Sequence, residues 1–157
     1  MDIEIWSIGK ASEPHIEQGV SIYLKKLAPW IKVELNILSL PKKLQTTDVS
    51  ATIKNEEALI LKRLQTHHYL ILLDERGKML DSIQWAEQFQ QCMNMGVRTI
   101  VILVGGAFGV SQAVKQRAQQ VWSLSKLVFP HQLVRLMVAE QVYRAYSILK
   151  NAPYHHK

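Results

Sequence analysis

Two apolar runs without polar alternation constrain the fold of this chain more than any other feature of its sequence. Residues 69–73 read Tyr-Leu-Ile-Leu-Leu, and residues 99–104 read Thr-Ile-Val-Ile-Leu-Val. Strands that lack alternation are covered on both faces, as they are in parallel sheets flanked by helices. Segments with apolar residues at helical spacing separate these runs from weaker strand signals. The sequence therefore predicts an α/β fold, with a mainly parallel sheet flanked by helices.

Strand and helix signals alternate along the whole chain, and no repeat or linker interrupts them. The predicted strands occupy residues 3–9, 33–37, 69–73, 99–104 and 121–125. Two of the predicted helices have N-caps at Ser12 and Ser82, two others begin at about Asp48 and at Ser111, and the last one occupies residues 133–149. We read residues 74–78 as a polar loop. One domain covering residues 1–157 follows, because compact domains cluster around roughly 100–150 residues.

Composition excludes several classes of protein. The single cysteine, Cys92, cannot form an intramolecular disulfide, which excludes a cystine-stabilised secreted scaffold and favours a reducing cytosol. The longest charge-free apolar stretch, residues 100–110, is far shorter than the ~20 residues that a membrane-spanning helix needs. Acidic residues occupy positions 2 and 4, where a signal peptide would carry Lys or Arg. We expect a cytoplasmic protein without a membrane segment or a metal site.

Positive charge is concentrated in the second half of the chain. Residues 1–80 contain 11 basic and 10 acidic side chains, whereas residues 81–157 contain 8 basic and 3 acidic ones, a net charge of +5. Glu140 is the only acidic residue after Glu87. This asymmetry is typical of proteins that bind a polyanion, most often a nucleic acid. A basic protein without such a partner would give the same counts.

Three segments are candidate ligand sites because ligands of parallel α/β sheets bind beyond the carboxyl ends of the strands. They are the strand end at Leu73, the glycine-rich turn Gly105–Gly109 and the connector Leu124–Phe129. Glycines let a ligand approach the backbone, although a tight strand–helix turn has the same sequence. The connector offers an apolar rim and backbone hydrogen-bonding groups suited to an adenine edge, or it is an ordinary crossing of the core.

The last helix and the C-terminal tetrapeptide provide a second group of candidates. Glu140 and Arg144 are four residues apart, so they either form a surface ion pair or orient a functional cation. The tetrapeptide Tyr154–Lys157 combines a stacking surface with imidazoles and positive charge, which suits an unstacked RNA base. Disorder is the commonest state of such a terminal segment, and the sequence by itself favours it.

Six segments occur in a characteristic order: Leu73-Asp74, Gly105–Gly109, Trp122–Ser125, Phe129–His131, Val142–Tyr146 and Pro153–His155. Together they resemble the ribosomal RNA large subunit methyltransferase H family of the SPOUT class, and the resemblance covers the whole chain. It implies a homodimeric enzyme that uses S-adenosylmethionine to methylate N3 of a pseudouridine in 23S ribosomal RNA on the assembled ribosome. It also implies a trefoil knot in the C-terminal part of the fold.

The resemblance implies two sets of site residues. Arg144, Tyr154 and His155 would lie in the active site, with the tail reaching the cofactor of the partner subunit. Eight residues would contact the cofactor: Leu73, Gly105, Leu124, Ser125, Lys126, Leu127, Val128 and Phe129. Relatives follow Tyr-His directly with a basic residue, whereas here His156 precedes Lys157, so either is a candidate for the terminal cation.

Methyl transfer to an imide nitrogen sets the roles that these residues can take. An imide N3–H is a weak acid, so transfer at neutral pH needs a base or stabilisation of the resulting anion. His155 is the candidate base and Arg144 the candidate cation, while Tyr154 stacks on the nucleobase or donates a hydrogen bond. The alternative function is a non-catalytic RNA-binding or ribosome-associated module that uses the same basic half of the chain.

Overall fold

A single sheet of five parallel strands forms the centre of the computed structural model, which describes residues 1–156. The strands are β1 (Asp2–Ile8), β2 (Val33–Leu38), β3 (His68–Met79), β4 (Thr99–Val104) and β5 (Gln120–Ser123). Their order across the sheet is β2-β1-β4-β3-β5, and every neighbouring pair is parallel. The predicted α/β class with a parallel sheet is confirmed.

Helices cover both faces of this sheet. They are α1 (Pro14–Leu27), α2 (Val49–Arg63), α3 (Ser82–Asn94), α4 (Gln112–Arg117) and α5 (His131–Leu149), and a short 3-10 turn occupies Lys42–Leu44. One face packs against α1, α3 and α5, and the other against α2 and α4. Within residues 1–156, no helix combines the length and the apolar character needed to cross a bilayer.

Side chains of the central strands alternate between two apolar cores, which explains the continuous apolar runs at residues 69–73 and 100–104. In β4, Ile100 and Ile102 face α1, α3 and α5, whereas Val101 and Leu103 face α2 and α4. In β3, Ile71 faces α1, α3 and α5, whereas Leu70 and Leu72 face α2 and α4, and all three are fully buried. Successive side chains of a strand point to opposite faces, so burial on both faces needs a continuous apolar run.

Two predicted helix starts differ from the observed ones by one or two residues, and neither helix has a side-chain cap. Helix α1 begins at Pro14 after Glu13, while the Ser12 hydroxyl instead accepts a hydrogen bond from Arg135 Nη1 at 2.9 Å. Helix α5 begins two residues earlier than predicted, directly after Pro130. Proline is favoured near a helix start because its fixed φ and missing N–H cost nothing there.

The predicted cap at Ser82 is also wrong, because Asp81 is the N-cap of α3. The Asp81 carboxylate accepts from the Gln84 backbone N–H at 2.8 Å, and the Gln84 side chain accepts from the Asp81 N–H at 2.9 Å. This reciprocal arrangement is a capping box, which satisfies two donors that the first turn of a helix leaves free. The correct boundary follows from the Asp-x-x-Gln spacing in the sequence.

Strand β3 continues through the residues predicted as a polar loop. Leu73 and Lys78 both pair with Trp122 of β5, and a bulge separates the two pairings. Gly77 lies in the bulge, where a Cβ atom would come within 2.7 Å of the Val121 backbone. Only glycine allows the two backbones to approach so closely. At the bulge Glu75 and Arg76 are exposed, whereas the Asp74 side chain is only 11% exposed.

Candidate active site

A cavity of about 470 Å³ opens beyond the carboxyl ends of β3, β4 and β5, and extends to the start of α5. Seven of the eight predicted cofactor contacts line this cavity: Leu73, Gly105, Leu124, Ser125, Leu127, Val128 and Phe129. The eighth, Lys126, belongs to the same connector but is not among the lining residues. The structure thus brings the three candidate segments together, and their contact with a cofactor stays a prediction.

The glycine-rich turn forms one wall of the cavity. Gly109 has a φ of +79°, and its N–H donates to the Gly106 carbonyl at 3.1 Å, which closes the turn before α4. A Cβ atom on Gly105 would come within 2.9 Å of the Val110 side chain. Glycine at position 105 is therefore required by packing within the turn itself, in addition to any need for a ligand to approach.

Four titratable residues line the cavity: Asp74, Glu75, Arg76 and His131. Partial burial opposes ionisation of Asp74, but hydrogen bonds from the Arg76 backbone N–H at 2.9 Å and Nε at 3.2 Å lower its pKa below the usual range. Burial, together with the charge of Arg135, lowers the pKa of His131. At neutral pH, Asp74 is therefore a carboxylate and His131 is an uncharged imidazole.

A buried carboxylate lies directly behind the glycine-rich turn. Glu56 of α2 is 6% exposed, and its Oε2 atom has no hydrogen-bond partner within residues 1–156. The carboxylate packs so closely on Gly106 that any side chain at this glycine would overlap it. Burial raises the pKa of Glu56. Sequence reasoning missed this residue, although its spacing from Ile53 and Ile60 places an acid on the apolar face of the helix.

The predicted catalytic residues form a second cluster, on α5 and the C-terminal tail. Glu140 Oε1 accepts from Arg144 Nη2 at 2.5 Å, from Arg144 Nε at 3.0 Å and from the Tyr154 hydroxyl at 3.0 Å. Arg144 Nη1 lies 3.4 Å from His155 Nδ1. These contacts hold Arg144, Tyr154 and His155 in one cluster around Glu140. The ion pair is partly buried, and the hydrogen bond from Arg144 to Glu140 raises the pKa of the guanidinium further above its ordinary value.

The end of α5 directs the tail back onto the helix. Asn151 has a φ of +54°, the Ala152 N–H donates to Ser147 O at 2.8 Å, and the Asn151 N–H donates to Ile148 O at 3.2 Å. These two bonds and the left-handed residue form a Schellman motif, in which asparagine is tolerated in place of glycine. The tail up to residue 156 therefore has a defined path rather than the disorder typical of a terminus. Lys157, a candidate for the terminal cation, lies outside the described residues.

The two groups of site residues are separated along α5. None of Arg144, Tyr154 and His155 lines the cavity, whereas Val134, near the start of the same helix, does. Ten residues separate Val134 from Arg144, which corresponds to about 15 Å along a helix axis. Within one chain, the predicted catalytic cluster therefore does not face the predicted cofactor cavity.

No metal centre is found in the part of the chain that the structure describes. No group of three or more His, Cys, Asp or Glu side chains there could hold a metal ion. Cys92 is buried in the core of α3, as expected for a packed thiol.

Comparisons with known proteins give a consistent result. The family model described as "Predicted SPOUT methyltransferase" matches residues 1–155. Proteins named ribosomal RNA large subunit methyltransferase H, from Christiangramia forsetii and Flavobacterium johnsoniae, are each 40% identical over 157 residues, with 100% of both chains covered. The crystal structure of tRNA (m1G37) methyltransferase from Aquifex aeolicus has a similar fold, with a TM-score of 0.57 at 17% identity, covering 92% of this chain and 70% of that chain.

Proposed function

Because the chain belongs to the SPOUT methyltransferase family, we propose that it transfers a methyl group from S-adenosylmethionine to N3 of a pseudouridine in 23S ribosomal RNA on the assembled ribosome. The observation that carries this proposal is the cavity at the carboxyl ends of β3, β4 and β5, which gathers the three segments expected to hold the cofactor. The names of the relatives and the net charge of +5 over residues 81–157 support an RNA substrate. The proposal includes a single domain in the cytoplasm and the C-terminal knot that the family implies.

The cavity suits S-adenosylmethionine in its size and in the chemistry of its walls. Its volume of about 470 Å³ lies within the range of roughly 300–1,000 Å³ typical of small-molecule sites. Leu127, Val128 and Phe129 offer apolar surface for an adenine ring, and the Asp74 carboxylate can accept hydrogen bonds from ribose hydroxyls or attract positive charge. The bound cofactor supplies an electrophilic methyl group on a cationic sulfur.

Arg144 and His155 are suited to stabilise negative charge on the nucleobase. An arginine can only donate hydrogen bonds, so His155 Nδ1 accepts from Arg144 Nη1, and the ring proton of a neutral His155 lies on Nε2. The Nε2–H group can then donate to a carbonyl oxygen that flanks N3, while the N3 proton passes to solvent water. In this arrangement His155 acts as a hydrogen-bond donor, and the ionised Arg144 beside it strengthens the stabilisation. The Tyr154 ring, beneath the Arg144 guanidinium at 4.7 Å, can stack on the base.

The separation of the cavity from the catalytic cluster supports a homodimer. A complete site needs a cofactor and a nucleobase in contact, yet one chain holds the two groups of residues apart along α5. A symmetric pair of chains can bring the tail of each subunit to the cavity of the other. The dimer thus belongs to the same proposal as the activity.

Titration calorimetry with S-adenosylmethionine, followed by transfer of its labelled methyl group to ribosomes that lack the modification, tests the proposed function. We expect saturable binding of one donor per chain and incorporation of the label into 23S ribosomal RNA. ATP, which shares the adenosine but lacks the methionine, is the control ligand and should bind much more weakly. A folded protein that binds RNA but takes up no donor at millimolar concentration would instead be a non-catalytic module.

A further inference from the structure

Helix α1 places two functional side chains against the catalytic cluster of α5 and the tail. Tyr23 and Lys26 are three residues apart and therefore lie on the same side of α1. The Tyr143 ring of α5 lies 5.9 Å from the Tyr23 ring and 4.6 Å from the Tyr154 ring, measured between centroids. Tyr143 thus connects α1 with the predicted active site.

These aromatic rings form a continuous, partly exposed surface. Trp30 stacks on Tyr143 with an interplanar angle of 6° at 5.7 Å, and Tyr154 meets the same ring edge-on. All four rings, including Tyr23, are only half-buried, so part of each remains available to a ligand. Aromatic surfaces of this kind stack on unpaired RNA bases with little dependence on sequence.

Lys26 holds a positive charge over this aromatic surface. Its ammonium nitrogen lies 5.4 Å from the centroid of the Tyr143 ring and 5.7 Å from that of the Tyr23 ring, which is within the range of a cation–π interaction. Lys26 is exposed, and within residues 1–156 it forms no salt bridge with a carboxylate. Two rings therefore restrict the ammonium group while its hydrogen-bond donors stay free.

We propose that Tyr23 and Lys26 form an RNA contact beside the active site, in which the Lys26 ammonium binds a backbone phosphate next to the target nucleoside. Lysine binds phosphate as a point charge, and contacts of this kind fix the register of a nucleic acid without reading its bases. Because Lys26 and Tyr154 both contact the Tyr143 ring, the phosphate and the nucleobase would belong to neighbouring positions of one strand. The inference rests on the proposed function, since it assumes that the nucleobase binds at Tyr154.

Replacing Lys26 with methionine removes the charge but keeps most of the aliphatic chain. Lys25 provides a matched control, because it is an exposed lysine on the same helix that points about 100° away and lines a groove beside β2. The probe is a synthetic, unmodified hairpin from large-subunit ribosomal RNA, and its affinity is measured by fluorescence anisotropy at several salt concentrations. Lys26→Met should weaken binding roughly five- to tenfold and reduce the salt slope of log K by about one, whereas Lys25→Met should have little effect.

Three results would overturn this inference. Lys26→Met could bind the hairpin with the affinity and salt slope of the unmodified protein. Lys25→Met and Lys26→Met could lose affinity equally, which would indicate only the general field of the surface. Finally, polyglutamate could bind with the same dependence on Lys26 as the hairpin, which would indicate an unselective anion site. Calorimetry with S-adenosylmethionine on the same samples separates failure of this inference from failure of the proposed function, because binding of the methyl donor does not involve Lys26.

Discussion

At the scale of single residues, Glu140 connects the proposed catalytic side chains. Its Oε1 atom accepts hydrogen bonds from both Arg144 and Tyr154, and Gln141 donates to its Oε2 atom at 2.6 Å. The i,i+4 spacing in the sequence predicts the contact between Glu140 and Arg144, which the structure contains. The sequence cannot predict that Tyr154 joins them, because this contact depends on the Schellman motif that turns the tail back onto α5.

The proposed role of His155 as a hydrogen-bond donor through Nε2–H can be tested by substitution. If Nε2–H donates to the nucleobase, His155→Gln retains a donor and should lower kcat by roughly tenfold or less, whereas His155→Ala should lower it by roughly 10²–10³-fold. S-adenosylmethionine affinity should be nearly unchanged in both variants. Single-turnover methylation assays and donor calorimetry measure these quantities. Equal losses in the two variants would indicate a general base, and full activity of His155→Ala would remove the residue from catalysis.

Glu56 provides a prediction about stability and pH. Burial raises the pKa of Glu56 in the folded protein above its ordinary value. At a pH between these two pKa values, the folded protein keeps the Glu56 proton, whereas the unfolded chain has released it. The free energy of unfolding therefore falls as pH rises through this interval. Glu56→Gln should stabilise the protein at pH 8 by on the order of 1 kcal/mol, or roughly 2–4 °C in Tm, and by less at pH 4.5.

Thermal unfolding of Glu56→Gln at the two pH values measures this effect. Glu57→Gln on the same helix is the control, because Glu57 is only partly buried and should give little change at either pH. A gain of equal size at pH 4.5 and pH 8 would show that the carboxylate charge is not the cause.

At the scale of secondary structure elements, the cavity depends on the glycine-rich turn between β4 and α4. The Cβ of a larger residue at position 105 would collide with Val110, which lines the same cavity. Gly105→Val should therefore reshape this wall and weaken S-adenosylmethionine binding by at least about tenfold. Calorimetry measures the affinity, and circular dichroism checks that the variant is folded. Unchanged affinity in a folded variant would place the donor site elsewhere.

Element types were predictable from the sequence, whereas several boundaries were not. Period-two alternation and long apolar runs identify β1 to β5. Alternation results when one face of a strand is buried, and a continuous apolar run results when both faces are buried. The start of α1 was missed because Ser12 is bound by Arg135, a residue more than a hundred positions away. The extension of β3 was missed because it depends on pairing with β5 across the bulge at Gly77. Contacts between distant positions cannot be inferred from a local pattern.

At the scale of the whole molecule, the proposed activity depends on two groups of residues that one chain keeps apart. The cavity and the catalytic cluster were each predicted from the sequence, from strand ends and from the resemblance. Their separation along α5 is consistent with the resemblance, which implies a tail that reaches the partner's cofactor. No local sequence pattern predicts it, since it depends on the direction in which the helix crosses the sheet. The knot was predicted only from the resemblance, because general rules of chain topology exclude threaded connections.

Subunit mixing tests whether the complete site combines two chains. Gly105→Val would disable the cavity and His155→Ala the tail, so a mixed dimer contains one intact composite site. Random mixing of the two inactive variants should restore about a quarter of the unmodified activity if each tail serves the partner's cavity. Methylation assays on the mixture, with each variant alone as control, measure this recovery. No recovery from confirmed mixed dimers would show that each chain builds its own site.

The proposed activity is tested most directly by nucleoside mass spectrometry of 23S ribosomal RNA from cells that lack this protein. We expect N3-methylated pseudouridine to be absent from this RNA, and to reappear when the purified protein and S-adenosylmethionine are added to the isolated ribosomes. An undiminished level of N3-methylated pseudouridine in the deleted cells would contradict the account.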